Sequence, residues 1–455
     1  MFKKLLFFMF FSIFTSLHAQ ETWNFPAISI SDENQDAIGA QVVINTNDKA
    51  IASWQRSDGS NTIIQTKYST DGGSSWSSSP ANLSASGENA GSSKIAMNIS
   101  KAVAIWHRYD ESNWIIQSKY STNAGTSWSE ATTNLSSVSQ NANSPEIAMN
   151  NSSKAVAIWR RYNGSNYIIQ TKYSTDGGAN WNVTATDLSV VGQDSFVPNV
   201  VINDSDKAIA IWGRYDGSDF RIQVKYSTDG GANWNASPID LSALGESVGA
   251  CQIALNNSNE AIAIWTRYDG SNYIVQTKYS TDAGATWSPS ASDLSDAGQD
   301  SRRPQIVLNN SSKAIAIWER HSGYNWMVQT KNSSDGGANW SLTATDLSVS
   351  GNKSGCPNIT LTDSNNAIAI WKRHSGYNWI VQTKDSQDGG STWNTSATDL
   401  STAGQDGYQP EISINSSGQA VVIWPRFDGF KWVIQTINNL TAAYLESLEE
   451  YSQTN

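Results

Sequence analysis

Ala208-Ile209-Ala210-Ile211-Trp212-Gly213-Arg214 is the stretch on which the fold turns. Variants of it recur with the tryptophan at 54, 106, 159, 212, 265, 318, 371 and 424, a spacing of 52 once and 53 thereafter. A repeat of this length marks a solenoid or a propeller, in which each unit covers its neighbour's apolar face. Ile209 and Ile211 point one way and Ala208, Ala210 and Trp212 the other, so both faces of this strand need cover. The same unit holds three more short apolar runs, Asn199 to Ile202, Phe220 to Tyr226 and Trp234 to Leu241. Turn residues such as Asn203-Asp204-Ser205-Asp206 and Asp216-Gly217 separate them. The runs are named strands A, B, C and D in chain order, B being the stretch quoted first.

The ends of the chain distinguish a ring from a solenoid. The eighth unit has strands A to C, Glu411 to Ile437, and no strand D. Near the other end Trp23 stands 13 residues before Asp36, the offset between Trp181 and Asp194, so residues 23–31 read as a detached strand D. A solenoid needs two polar caps, whereas a ring needs its last blade completed in this way. The expected fold class is all-β: an eight-bladed β-propeller of four-stranded antiparallel blades over residues 20–437, the last blade closed by the N-terminal strand.

With 41 Asp and Glu against 30 Lys and Arg, the net charge of -11 argues against a nucleic-acid binder. Lys3 and Lys4, the apolar run Leu5 to Phe14 and the small-residue site ending at Ala19 form a signal peptide over residues 1–19. The expected location is therefore secreted, periplasmic or cell-surface, and no later stretch is apolar enough to span a membrane as a helix. Residues 438–455 read as a tail in which Leu440, Tyr444, Leu448 and Tyr451 fall at helical spacing. Cys251 and Cys356 belong to blades 5 and 7, too far apart to be bridged, and are expected to be free thiols.

Between strands C and D lies Ser-x-Asp-x-Gly-x-x-Trp, with the acidic position at Asp71, Asp176, Asp229, Asp282, Asp335 and Asp388, and Asn123 in its place in the second blade. This motif resembles the Asp box, or BNR repeat, of the sialidase superfamily of propellers. The resemblance implies a structural role for these seven residues, away from any catalytic face. It also raises a sialidase-like glycoside hydrolase, of the exo-alpha-sialidase type, as an alternative function. However, the Phe-Arg-Ile-Pro motif that carries the first arginine of that family is missing, and Asn24-Phe25-Pro26-Ala27 stands nearest to it. A catalytic centre needs unlike groups converging on one point, whereas equal blades offer like groups around a circle.

The B–C hairpins supply the candidate ligand-binding residues. Each has an arginine two residues after the strand-B tryptophan, and seven have an aromatic residue where strand C begins. The pairs are Arg108 and Trp114, Arg161 and Tyr167, Arg214 and Phe220, Arg267 and Tyr273, Arg320 and Trp326, Arg373 and Trp379, and Arg426 and Trp432. Aromatic planes beside hydrogen-bonding groups suit a sugar surface, and stapling of neighbouring blades is the competing use. The links between one strand D and the next strand A carry Gln-Asp pairs such as Gln193-Asp194, expected near the channel mouth. Neither these nor His107, His321 and His374 have metal-ligand spacing, so no metal or cofactor is expected. The reading is a secreted non-catalytic propeller that binds a glycan or protein ligand through repeated Arg/aromatic hairpins.

Overall fold

The computed structural model describes residues 22–440 except 216, 219, 244 and 246, so the expected signal peptide and most of the tail lie outside the described residues. Eight antiparallel sheets stand in a ring, each ordered A-B-C-D from the axis outward. In blade 4 these strands are Ser195–Ile202, Ala208–Tyr215, Phe220–Ser227 and Ile239–Asp240. Blade 8 contains Glu411–Ile414, Ala420–Phe427 and Trp432–Leu440, and its outer edge is supplied by Thr22–Trp23 and Ile28–Ser29. The ring is closed as its two ends imply.

Strand D departs from the expected Trp234 to Leu241, because only two residues form ladder pairs with strand C. Asn235 occupies the space between, its amide nitrogen donating to the Tyr226 carbonyl while its side-chain oxygen accepts the Tyr226 N–H. The segment thus arches away from strand C and returns only at Ile239. Trp234 belongs to that arch and packs in the seam against blade 3, beside Val156, Ile158 and Trp212.

The strand-B tryptophans are fully buried in all eight blades. Trp212 packs on Val156, Ile158, Ile169 and Leu188 of the preceding blade, so the outward isoleucines of one strand B meet the tryptophan of the next. The Asp boxes lock the same seams from the face that carries the A–B turns. Asp229 accepts from Ser227 Oγ at 2.8 Å, from Asn233 N–H at 2.8 Å and from Asn233 Nδ2 at 2.7 Å. Burial raises the Asp229 pKa, but these hydrogen bonds outweigh it and hold the carboxyl below its ordinary range. Gly231, at φ +88°, lies so close to blade 3 that a Cβ there would stand 2.7 Å from Val156. The Ser-x-Asp-x-Gly-x-x-Trp motif is therefore a blade-to-blade clamp, and in blade 2 Asn123 keeps its acceptor role toward Ser127.

A second set of clamps circles the channel at the A–B face. Asn203 accepts the Lys207 N–H of its own turn, and its Nδ2 donates across the seam to the Asn256 carbonyl at 3.0 Å. The same bond closes the ring, since Asn415 Nδ2 donates to the Asn45 carbonyl at 3.1 Å. Strand A, innermost, carries a bulge between Phe196 and Asn199, with Val197 at φ +48°. Left-handed residues recur at the equivalent position in seven blades, at Gly39, Ser92, Ser144, Val197, Arg303, Cys356 and Gln409. A bulge re-aims the side chains that follow it, and here it turns one polar residue per blade toward the axis.

Candidate functional site

The hairpin face holds the expected Arg and aromatic residues, but not as stacked pairs. Arg161 follows Trp159 on the side of strand B that faces the preceding blade. Tyr167 pairs across the hairpin with Tyr162, on the opposite side. Alternation along a strand makes this unavoidable for residues one position apart. The arginines are instead staples: Arg214 donates to Gln193 Oε1 at 2.6 Å, and Arg56, Arg161 and Arg320 make the same bond to Gln35, Gln140 and Gln299. Arg108 meets Glu88 at 2.5 Å, Arg267 lies 3.8 Å from Asp293, Arg373 lies 3.5 Å from Asp399, and Arg426 is buried.

The link aspartates are likewise occupied. Asp194 Oδ1 accepts the Tyr167 N–H of the previous blade at 2.7 Å, and Asp36 receives Trp432 N–H in the same way at 2.9 Å. Asp300 and Asp406 do the same for Tyr273 and Trp379, so these four fasten the first residue of the preceding strand C to the next blade. Six of the seven hairpin aromatics pair across the hairpin with a tyrosine, histidine or phenylalanine at ring separations of 5.1 to 5.4 Å, and Tyr215 with Phe220 at 4.9 Å. The fourteen candidates are thus spread around the ring, one pair in each of seven blades.

The unlike groups lie at columns where the blades differ. Between the strand-B tryptophan and its arginine stand Gln55, His107, Arg160, Gly213, Thr266, Glu319, Lys372 and Pro425, eight different residues in eight blades. Some of this variation is packing: Gly213 makes room for Phe196, whose ring would lie 2.3 Å from a Cβ there. His107 is pushed down to about 4 by burial and is neutral at physiological pH. In blades 6 and 7 the column carries charge, as Glu319 and Lys372. Glu319, fully buried, accepts from Arg302 Nε at 2.6 Å, from Arg303 at 3.4 Å and from the Cys356 N–H at 2.7 Å. Arg302 lies over the Trp326 ring at 3.7 Å, and Lys372 sits 4.3 Å from Trp379 and 3.2 Å from Tyr408. The cations that meet the aromatics are therefore not the repeated arginines: they stand one residue before them, as Arg160 and Lys372, or at the start of the strand-A segment, as Arg302 and Lys353.

A further column lies at the hairpin tips. Five blades have serine there, at 60, 112, 165, 218 and 271, whereas blades 6, 7 and 8 have Tyr324, Tyr377 and Phe430. These rings are 92, 93 and 89 % exposed. Sequence reasoning missed them because it looked for what the repeats share; reading the same repeats for where they differ finds both columns.

Next to this sector the channel opens as a cavity of about 440 Å³, lined by the bulged strands A, among them Gln41, Arg303, Cys356, Asn358 and Glu411. Lys94 Nζ lies 3.1 Å from Glu146 Oε1, and Glu411 accepts from Asn358 Nδ2 at 2.6 Å. Burial pushes Glu411 up to about 7, the Lys94 charge opposing it. The Glu146 carboxylate holds Lys94 above its ordinary value against the effect of burial. Cys251 and Cys356 are both free thiols; burial pushes Cys251 up to about 12 and leaves it unreactive, while Cys356 Sγ stands at the cavity wall 2.7 Å from Arg303 Nη1.

The family model described as BNR/Asp-box repeat matches residues 278–289, the clamp of blade 5. The chain thus carries Asp boxes on a propeller fold. No curated protein matches its sequence. Among solved structures, the polysaccharide lyase Uly1 is similar to this Asp-box propeller with a TM-score of 0.51 at 9% identity, over 76% of this chain and 89% of the lyase. The NanB sialidase from Streptococcus pneumoniae gives 0.40 at 14% identity, over 92% and 70%. The alpha-L-arabinofuranosidase Arb93A from Fusarium graminearum gives 0.41 at 12%, over 65% and 91%. These likenesses concern the fold; the neighbours named are enzymes that act on carbohydrates. The described part of the Asp-box propeller has no helix long and apolar enough to cross a membrane.

Proposed function

We propose that this Asp-box propeller is a secreted, non-catalytic protein that binds glycan on its hairpin face. The observation that carries the reading is the set of solvent-exposed rings Tyr324, Tyr377 and Phe430, borne on three adjacent blades beside the open end of the channel. A pyranose ring stacks an apolar face on an aromatic plane and offers hydroxyls to polar neighbours, which here include Asn325, Asn378 and Lys431.

The rival reading is a glycoside hydrolase, and one observation favours it: two unlike glutamates, Glu146 and Glu411, flank Lys94 on the channel wall. Against a sialidase mechanism, among the described residues no tyrosine hydroxyl is hydrogen-bonded to a glutamate. Purified protein applied to a glycan array is expected to retain a defined class of glycans and to release no fluorophore from a fluorogenic sialoside. Turnover that a single substitution of Glu146 or Glu411 abolishes would reverse the assignment.

A further inference from the structure

Two of the three aromatic tips, Tyr324 and Tyr377, coincide with a change in charge. Four residues after the strand-B tryptophan stand Asp58, Asp110, Asp216 and Asp269 in blades 1, 2, 4 and 5 and Asp428 in blade 8, but Ser322 and Ser375 in blades 6 and 7. The same sector holds Arg302 and Arg303, whose side chains are 47 and 51 % exposed, and Lys353, exposed on the link before blade 7. Lys372 lies beneath, between Trp379 and Tyr408. Facing these cations are Glu319, already bonded to both arginines, Asp406, which accepts the Trp379 N–H, and Glu411 in the cavity. A chain of net charge -11 thus gathers cations in blades 6 and 7 and drops the turn acid there, while blade 8 keeps Asp428 beside Phe430.

We infer that blades 6 to 8 bind an acidic polysaccharide, with Tyr324, Tyr377 and Phe430 as stacking platforms and Arg303 and Lys353 facing its carboxylate or sulfate groups. The inference rests on the glycan reading and narrows it to a chemical class. A protein partner fits less well, because Gly, Ser and Asn separate the rings, whereas a protein interface needs a contiguous desolvated centre. Repeating sugars present flat faces at intervals with polar groups between them, which is the pattern of the tips. Charge attraction at an exposed site also makes binding fall with salt.

The test is retardation of the full-length protein in native gels containing polygalacturonate, alginate or chondroitin sulfate, against uncharged dextran and galactomannan. Wild type is compared with the triple variant Tyr324→Ser, Tyr377→Ser, Phe430→Ser and with the double variant Arg303→Ala, Lys353→Ala. Serine is the native tip in the other five blades, so the triple variant keeps a tip that this fold already tolerates. At least one acidic polymer is expected to retard the wild type, with the triple variant weaker by about tenfold or more. The double variant is expected to lose most of the salt dependence. Equal retardation of wild type and triple variant by an acidic polymer would overturn the inference. Equal retardation by acidic and neutral polymers would overturn the acidic class and leave glycan binding standing. No retardation by any polymer, together with an empty array, would overturn both readings.

Discussion

A chain that begins at Asp32 is expected to lose the cooperative unfolding transition of the full protein. Residues 22–31 supply the outer edge of blade 8: Thr22 and Trp23 pair with Leu440 and Asn439, and Ile28 and Ser29 with Thr436 and Gln435. Trp23 is 5 % exposed and packs with Ile368, Ile370 and Val381 of blade 7, the place each Asp-box tryptophan takes in its own seam. Ile30 is buried against Trp54 and Ile434, and Ser31 Oγ accepts the Ile434 N–H at 2.8 Å. Removing one such tryptophan and one isoleucine costs about 5–10 kcal/mol by core-truncation experience, comparable to the whole stability of about 5–15 kcal/mol of a typical domain. Two opened seams add exposed strand edge, which favours aggregation. Thermal unfolding followed by tryptophan fluorescence decides the point; an unchanged melting temperature would contradict ring closure by this segment.

Lys94→Met is expected to destabilise the ring in a pH-dependent way. Its ammonium serves two carboxyls, Glu146 at 3.1 Å and Glu411 across the channel. Glu411 is raised from 4.5 to about 7, so the folded state holds its proton more tightly than the unfolded state. Its contribution is therefore fully present below pH 4.5 and is lost as pH rises through 7. Glu146 is raised in the same direction by burial. Without the lysine both carboxylates face burial unpaired above pH 7, at a cost of about 3 kcal/mol, since breaking a buried pair is dearer than replacing it whole. Near pH 4.5 Glu411 is protonated and the buried ammonium of the wild type has lost that partner, so the penalty of the variant is expected to shrink or reverse. Chemical denaturation at pH 4.5 and pH 8 measures the difference; an equal penalty at both pH values would remove the electrostatic account of the channel.

The blade count, the order of strands and the closure at blade 8 were legible because tryptophan spacing and the Trp23–Asp36 offset are covalent facts that a ring must satisfy. The length of strand D was not, because Asn235 satisfies Tyr226 through its side chain and so ends the ladder that the apolar run from Trp234 suggests. The hairpin arginines were visible as a repeated column on the tryptophan's side of strand B, but the partners they reach were not. One position of alternation separates Arg161, which reaches Gln140, from Arg160, which lies 3.7 Å over Tyr167. Lys94, Glu146 and Glu411 were hidden by the bulge in strand A, whose left-handed residue decides which side chain points to the axis. Tyr324, Tyr377 and Phe430 required no structure to find, only attention to where near-identical repeats diverge.

The central claim is that a ring built from equal blades binds its ligand at one unequal sector. Calorimetric titration of the intact protein with an oligosaccharide cut from the polymer that retards it measures this directly, as the number of sites per chain. The account predicts one site, abolished when the tips of blades 6 to 8 are changed to serine and untouched when Tyr167 and Tyr273 of blades 3 and 5 are changed to threonine, the residue blade 1 has at Thr62. A stoichiometry approaching one ligand per blade, falling in step with each hairpin aromatic removed, would contradict it.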